Sequence, residues 1–388
     1  MKTNMIKVLF LSQWYPNRYD LMAGLFVQKH AEAVSLYCDV QVLYVHADEN
    51  INKFEIEEKN HSNFRELIVY YPCKKDKLFY KAYKTINYIR AYLIGYKIIT
   101  KNNFQPDIVH ANILTRTGFI AYLLKHWKGI PYVVTEHWSR YLSGRKAYKG
   151  ILRKLTTRLV VNNAEAVLPV SEILKNAMLT HKLDNKNYII VNNVVDNNFF
   201  EEITVSYRKK KRILHISCFD EQAKNVKGII RATNELSKKR QDFELILIGT
   251  GVDYQSIHEF AETFNFPRGL VNFLGEKTPE EVANWLKNSD FLVMFSNYET
   301  AGVVIAESLV CGKPVLSTNV GAAPEYINEI NGILIEKGNE NELIEQMNKM
   351  LDHFEDYDSV KIKNDSKNKF SYESIGLLIS KIYNQIIV

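Results

Sequence analysis

The stretch Phe291-Leu-Val-Met-Phe-Ser-Asn-Tyr-Glu299-Thr-Ala-Gly302-Val-Val-Ile-Ala-Glu307-Ser-Leu-Val-Cys-Gly312-Lys-Pro-Val-Leu-Ser-Thr-Asn-Val-Gly321-Ala-Ala-Pro-Glu325 decides how the chain is to be read. Its apolar run to Phe295 predicts a buried strand, the polar residues after it a loop, and Gly302 the point where a helix can begin. Pro314–Ser317 then predicts the next strand. A helix starting at Gly302 presents free N–H groups and the positive end of its dipole, which suits a diphosphate. Glu307 falls eight positions after Glu299. One carboxylate therefore sits on the loop and the other a turn or two into the helix, placed to hold two separate hydroxylated groups of an extended ligand.

Outward from this block the same alternation continues. In the second half, strands are expected at Ile213–Ser217, Glu244–Ile248, Val271–Leu274, Phe291–Phe295 and Pro314–Ser317, with helices near 226–240, 253–264, 279–287 and 303–311. In the first half they are expected at Ile6–Ser12, Val40–Val45, Leu67–Tyr71, Ile108–His110, Tyr132–Thr135, Val167–Val170 and Tyr188–Val191. Helical stretches fall near 26–36, 78–101 and 116–128. Strand-helix alternation predicts parallel sheets covered on both faces. The chain of 388 residues is too long for one small core. The charged, irregular run from Glu201 to Arg212 reads as a linker. The expected fold class is thus α/β, two doubly wound (Rossmann-like) domains in tandem with an interdomain cleft: residues 1–200, residues 201–370, and a helix over 371–388 that crosses back onto the first domain. In such sheets ligands sit outside the carboxyl ends of the strands.

Composition sets limits. Cys38, Cys73, Cys218 and Cys311 lie far apart and form no metal-ligand or redox pair, which fits a reducing, cytoplasmic setting. No Asp-x-Asp pair or His/Cys cluster predicts a metal site. Met1 to Phe10 is too short an apolar core for a signal peptide, and no stretch is long enough to span a bilayer. Residues 1–200 hold 28 Lys/Arg against 16 Asp/Glu, a net of +12, whereas residues 201–388 hold 22 against 28, a net of −6. A basic half can face nucleic acid, an anionic membrane or a phosphorylated substrate. No nucleic-acid module signature is present. Lys74 to Lys101 contains eight Lys/Arg and one acid, interleaved with Phe79, Tyr80, Tyr83, Tyr88, Tyr92 and Tyr96. Such a helix either docks on an anionic surface or lies half-buried with its lysines in water. Arg140 to Arg158 is a second basic stretch.

The two glutamates separated by seven residues, followed by Gly312-Lys-Pro-Val and Gly321-Ala-Ala-Pro-Glu325, resemble the signature of family 4 glycosyltransferases, which have the GT-B fold. The resemblance implies that Glu299 contacts hydroxyls of the donor sugar and Glu307 the ribose, with Thr300, Ala301, Gly302 and Val303 lining the same pocket. Ala301 stands where the family often has phenylalanine. After the strand at Ile213, the family usually places an arginine and, six residues later, a lysine, both neutralising the donor diphosphate. Here these positions are Cys218 and Lys224, which leaves the charge to Lys224, helix dipoles and Lys227. Phe273-Leu-Gly275 resembles the segment bordering the nucleobase. Gly249 and Gly251 are read as packing glycines.

In the first half, Leu11-Ser-Gln-Trp-Tyr-Pro16 with Ala23-Gly24 resembles the family's first strand and glycine-bearing loop, where the backbone nears donor phosphate and acceptor. His110-Ala-Asn and Gly129-Ile-Pro-Tyr-Val-Val-Thr-Glu-His137 resemble the strand ends near the reacting sugar, with His137 the best match. Val191-Asn-Asn-Val-Val-Asp196 matches the turn that closes the family's first domain. The resemblance implies a retaining hexosyltransferase of cell-surface polysaccharide synthesis that uses a nucleotide-sugar donor, a saccharide or lipid-diphosphate-linked acceptor, and neither metal nor cofactor. It also implies a cytoplasmic enzyme peripheral to the inner face of the cell membrane, touching an anionic surface through 74–101. Glu299, His137 and Lys224 are the expected catalytic residues. Three alternatives stay open: a nucleotide-sugar epimerase, a glycoside hydrolase using the two glutamates as a pair, and a non-catalytic sugar-binding or membrane scaffold.

Overall fold

A computed structural model describes residues 5–74, 79–142, 147–202 and 208–387. Parts of the basic stretches from Lys74 and Arg140, part of the charged linker, and the two chain ends lie outside the described residues. The chain divides into two compact units, one running to Val194 and resuming at Tyr372, the other spanning Val195–Ser371.

The first unit holds seven strands: β1 (Lys7–Ser12), β2 (Asp39–Asp48), β3 (Glu55–Asn60), β4 (Phe64–Pro72), β5 (Ile108–Asn112), β6 (Tyr132–Glu136) and β7 (Ala166–Pro169). Their order is β3-β4-β2-β1-β5-β6-β7, parallel except for the antiparallel edge strand β3. β1 is buried from Val8 to Ser12, as a strand covered on both faces must be. Val8 and Phe10 join the core with Val27, Ala31, Ile375 and Ile379 of the helices Leu25–Ser35 and Tyr372–Ile387, so the last helix belongs to the first unit. Leu9 and Leu11 point the other way, toward the helices Tyr80–Lys101 and Thr117–Lys128.

The second unit holds β8 (Lys211–Ile216), β9 (Phe243–Ile248), β10 (Val271–Gly275), β11 (Phe291–Met294), β12 (Val315–Thr318) and β13 (Gly332–Ile335). All pairings are parallel in the order β10-β9-β8-β11-β12-β13. The order in which strands are added changes direction between β8 and β11, and likewise between β1 and β5, while the strands there stay parallel. At these switch points the loops on either side diverge and leave a crevice at the carboxyl edge.

One expected strand is absent. Residues 188–191 run beside β7, with Ile189 N–H donating to Val167 O and Val191 N–H donating to Pro169 O, both at 3.1 Å, but only Tyr188 forms a bridge. The cause is Pro169, which has no N–H to return to the neighbouring chain. Among the described residues no helix is long and apolar enough to cross a membrane.

Candidate active site

In the second unit, both sides of the switch point carry chemistry. The chain leaving β8 passes the exposed Cys218 and enters a one-turn helix, Glu221–Lys224, capped by Asp220, whose carboxylate accepts from Ala223 N–H at 3.2 Å. Asn225, in the left-handed region at φ 49°, turns it into the helix Val226–Ser237. The chain leaving β11 forms the loop of Ser296, Asn297 and Glu299. Asn297 stitches the two together, its N–H donating to Ala223 O at 2.7 Å and its amide to Gln222 O at 3.0 Å. Lys224 and Glu299 consequently meet as an ion pair, and Ser296 Oγ donates to the same carboxylate oxygen at 3.0 Å. The side chains are only 15% and 11% exposed, so the pair is partly shielded from water.

The Glu299 loop is held from behind. Thr318 Oγ1 donates to Ser296 O at 2.7 Å. Gly321, at φ 59°, lies so close that a Cβ there would be 2.3 Å from Glu299 O. Beyond the loop, Gly302 at φ 57° starts the helix Val303–Val310, whose first turn has no side-chain cap and no acidic residue. That leaves a positive helix end facing whatever enters. Thr300 and Ala301 are half-buried on the loop, Val303 is exposed at the helix tip, and Glu307 is half-buried one turn in. Gly275 closes β10, its carbonyl accepting from Gly249 N–H at 2.9 Å. Gly249 and Gly251 serve packing: a Cβ would lie 1.9 Å from Ser217 O at the first and 2.7 Å from Phe219 N at the second. The buried His215 spans the switch point, bonding Val293 O at 2.9 Å and Ser217 Oγ at 2.8 Å.

In the first unit, the carboxyl edge gathers polar groups that lack partners. Neither ring nitrogen of His137 is hydrogen-bonded, although Asn193 lies alongside; its ring rests on Phe26 at 4.4 Å. Burial, and then the nearby His30 and His110, hold it well below the usual histidine range, so it is neutral at pH 7 and acts as a hydrogen-bonding group. Gln13 Oε1 and both amide atoms of the fully buried Asn112 are also unpaired. Unsatisfied buried groups are costly, and their clustering makes this edge a candidate ligand site. Gln13 and Asn112 fall within the family-like stretches Leu11–Pro16 and His110–Asn112, where residue order gives neither a role of its own; they lie directly after β1 and at the end of β5. His110, by contrast, is satisfied by Tyr383 OH at 2.5 Å and Thr135 Oγ1 at 2.6 Å. The buried Glu136 carboxylate anchors the loop after β6, accepting from His137 N–H at 2.9 Å and Trp138 N–H at 2.8 Å. Gly24 permits close backbone approach, since a Cβ would sit 2.2 Å from Trp14 O.

These histidines make stability pH-dependent. Burial pushes His30 and His215 down to about 4, and His110 and His137 well below their ordinary value of 6.5. The folded chain therefore binds fewer protons than the unfolded chain between those values, and stability falls as pH drops from about 6.5 toward 4. At pH 5 each such histidine is expected to cost up to about 2 kcal/mol relative to pH 7. Thermal melts across this range check it; a flat profile would contradict the buried neutral rings.

Two units with switch-point sites, a cation paired to a loop carboxylate, and an open helix tip define a GT-B glycosyltransferase. The sequence model described as "Glycosyl transferases group 1" matches residues 196–366, and that described as "Glycosyltransferase Family 4" matches residues 32–199. The chain belongs to glycosyltransferase family 4. It is 30% identical over 309 residues to an uncharacterised glycosyltransferase of Methanocaldococcus jannaschii, covering 79% of this chain and 83% of that one. It is 28% identical over 260 residues to the N-acetyl-alpha-D-glucosaminyl L-malate synthase of Bacillus anthracis, covering 63% of this chain and 65% of that protein. Among solved structures, sucrose-phosphate synthase of Thermosynechococcus elongatus superposes with a TM-score of 0.74 at 17% identity, covering 98% and 99% of the two chains. The Anabaena protein HepE in complex with UDP superposes with a TM-score of 0.72 at 17% identity, covering 98% and 100%.

Proposed function

We propose that the enzyme is a retaining, metal-independent hexosyltransferase that holds a nucleotide-sugar on the second unit and a saccharide or lipid-linked saccharide acceptor on the first, in cell-surface polysaccharide synthesis. The observation that carries this reading is the Lys224–Glu299 pair at the β8/β11 switch point, beside the uncapped helix that begins at Val303. A glycosyl diphosphate needs three things there: a cation for the charge that grows on the departing diphosphate, N–H donors for its oxygens, and acceptors for sugar hydroxyls. Lys224, the helix tip and Glu299 supply them in that order. Glu307 holds the ribose, and Gly275 the base through its main chain. The HepE complex with UDP-glucose supports a nucleotide-sugar as the class of donor.

No side chain on this site is a required nucleophile. The acceptor hydroxyl attacks on the face the diphosphate leaves, and a donor phosphate oxygen takes its proton. His137 and Asn112 orient the sugars. The whole reading is tested by incubating the chain with UDP-, GDP- and ADP-sugars and a panel of saccharide acceptors: transfer with retained anomeric configuration, unchanged by EDTA, is expected. Isomerised donor, or an EDTA-sensitive reaction, would contradict it. Glu307→Ala is expected to weaken nucleotide binding about tenfold, since it removes a charge-assisted hydrogen bond, whereas Glu299→Ala chiefly slows transfer. Isothermal titration against turnover separates the two, and unaltered affinity and turnover in both variants would refute these roles.

A further inference from the structure

The loops that follow β5 and β6 in the first unit converge on one buried cation. Ile113 leaves β5 at φ 71°, a left-handed conformation rare for a β-branched residue, while its N–H still donates to Thr135 O at 2.8 Å. The chain is thereby turned toward the loop after β6. The buried Glu136 carboxylate ties the two loops together, accepting from Leu114 N–H and from Tyr141 OH, each at 3.2 Å. Arg140 lies in the short 3-10 turn Ser139–Tyr141, its guanidinium over the Trp138 ring and its Nη1 reaching Thr115 of the other loop. Trp138 in turn meets Trp14, from the loop after β1, edge-on at a centroid distance of 4.8 Å. These residues therefore sit at the carboxyl edge, close to the β1/β5 switch point.

Arg140 is only 4% exposed. An arginine buried to that degree normally has a carboxylate beside it, because an uncompensated charge away from water is costly. Here the guanidinium carries five N–H donors yet makes one long hydrogen bond among the described residues, Nη1 to Thr115 Oγ1 at 3.4 Å, and its buried Nε has no partner. Glu136 acts on it from nearby, but that carboxylate is already occupied by the N–H groups of Leu114, His137 and Trp138 and by the Tyr141 hydroxyl. Burial disfavours the charge of Arg140, Tyr141 and Glu136 support it, and the exposed Arg153 and Arg116 oppose it again. Open donors on a desolvated guanidinium, two half-buried tryptophans and the unpaired amide of Asn112 thus share one edge. An acidic sugar requires this set: a planar fork for its anion, apolar faces for its ring, and hydrogen-bonding groups for its hydroxyls.

We propose that Arg140 is the anion-binding residue of the acceptor site, and that the acceptor presents to it the carboxylate or phosphate of an acidic sugar. Other anions fit less well. A polymer backbone or a charged surface cannot reach a side chain so deeply buried, whereas a single sugar can enter the crevice and exclude water from the pair. The donor diphosphate has its own cation and helix tip on the second unit. Pairing with a desolvated guanidinium also gives strong selection, since a neutral sugar in the same place leaves the buried charge unpaired. The proposal rests on the placing of the acceptor on the first unit and deepens it by naming the acceptor's charge.

The test uses the full chain and three probes, methyl glucoside, methyl glucuronide and methyl glucoside 6-phosphate, as acceptors with UDP-, GDP- and ADP-sugars and as ligands in isothermal titration. Nucleotide affinity is measured on the same samples. Wild type is expected to favour one acidic probe over the neutral one by at least about thirtyfold in KM and in affinity, and the two acidic arms show whether carboxylate or phosphate is recognised. Arg140→Met is expected to erase that preference, and Arg140→Lys to weaken it about tenfold, because an ammonium keeps the charge but loses the fork. Nucleotide affinity stays unchanged in both. Without ligand, the thermal midpoint of Arg140→Met is expected to equal or exceed that of wild type, since an uncompensated buried charge is removed. A lowered midpoint with the preference kept would assign Arg140 to packing alone and overturn the proposal. So would equal use of acidic and neutral probes by wild type, or failure of both acidic probes to bind. Selective binding of an acidic probe that Arg140→Met abolishes, with no transfer to any acceptor, would sustain the anion site and sink the transferase reading. Transfer to the neutral probe alone would do the reverse.

Discussion

Lys224→Ala is expected to slow sugar transfer by about 10²- to 10³-fold, the usual cost of removing one preorganised electrostatic partner from a transition state that develops negative charge. The effect has a second component. Without Lys224, the Glu299 carboxylate is left shielded and uncompensated, which costs about 2 kcal/mol of stability, less than a fully buried pair because both groups keep some solvent. The two components separate in the double variant Lys224→Met/Glu299→Gln. It removes both charges and is expected to recover the thermal midpoint without recovering transfer. If Lys224→Ala transferred sugar at the wild-type rate, the cation would have no part in leaving-group stabilisation. If the double variant stayed as unstable as the single one, the pair would not be the source of the loss.

Gly321→Ala is expected to lower transfer about 100-fold although residue 321 carries no side chain to the chemistry. Its backbone is at φ 59° and its absent Cβ position lies 2.3 Å from Glu299 O, so a methyl group cannot be accommodated unless the Glu299 loop retreats by about an ångström. A displacement of that size in a positioning group is worth about 10² in rate. The strained left-handed alanine adds about 1 kcal/mol of destabilisation. The diagnostic is the balance: kcat is expected to fall, while nucleotide affinity, which the proposal assigns to Glu307 and the helix tip, changes much less. An unchanged kcat would show that the loop position does not set the reacting geometry.

Much of the second unit was legible from residue order alone, because its strands are continuous apolar runs and its loops are punctuated by glycine and charge. Phe291–Phe295, Gly302 and Glu299 announce a strand, a helix start and a loop carboxylate without reference to anything distant. That Glu299 pairs with Lys224, 75 positions earlier, is a consequence of β8 and β11 being neighbours. The alternation predicts a doubly wound sheet, and the sheet order then follows from the topology of that class.

What escaped the sequence is long-range or negative. β3 reads Glu-Ile-Glu-Glu-Lys-Asn, too polar to be taken as a strand, and it persists because it pairs antiparallel with β4 on an edge where polar side chains are tolerated. Residues 188–191 look like a strand by composition, yet one proline on the neighbouring strand interrupts their ladder. Asn112 and Gln13 lie inside the two stretches that resemble the family's strand ends, yet residue order assigns neither a role of its own, and that appears only when the fold leaves them without partners.

The claim on which the functional account rests is that the turn Glu221–Lys224, the Glu299 loop and the first turn of Val303–Val310 together grip a nucleoside diphosphate. Amide hydrogen exchange of the full chain with and without UDP, GDP or ADP tests this most directly. The account predicts that whichever nucleotide binds slows exchange across residues 221–228 and 296–307. A nucleotide that stabilises the chain while protecting only other segments would contradict it.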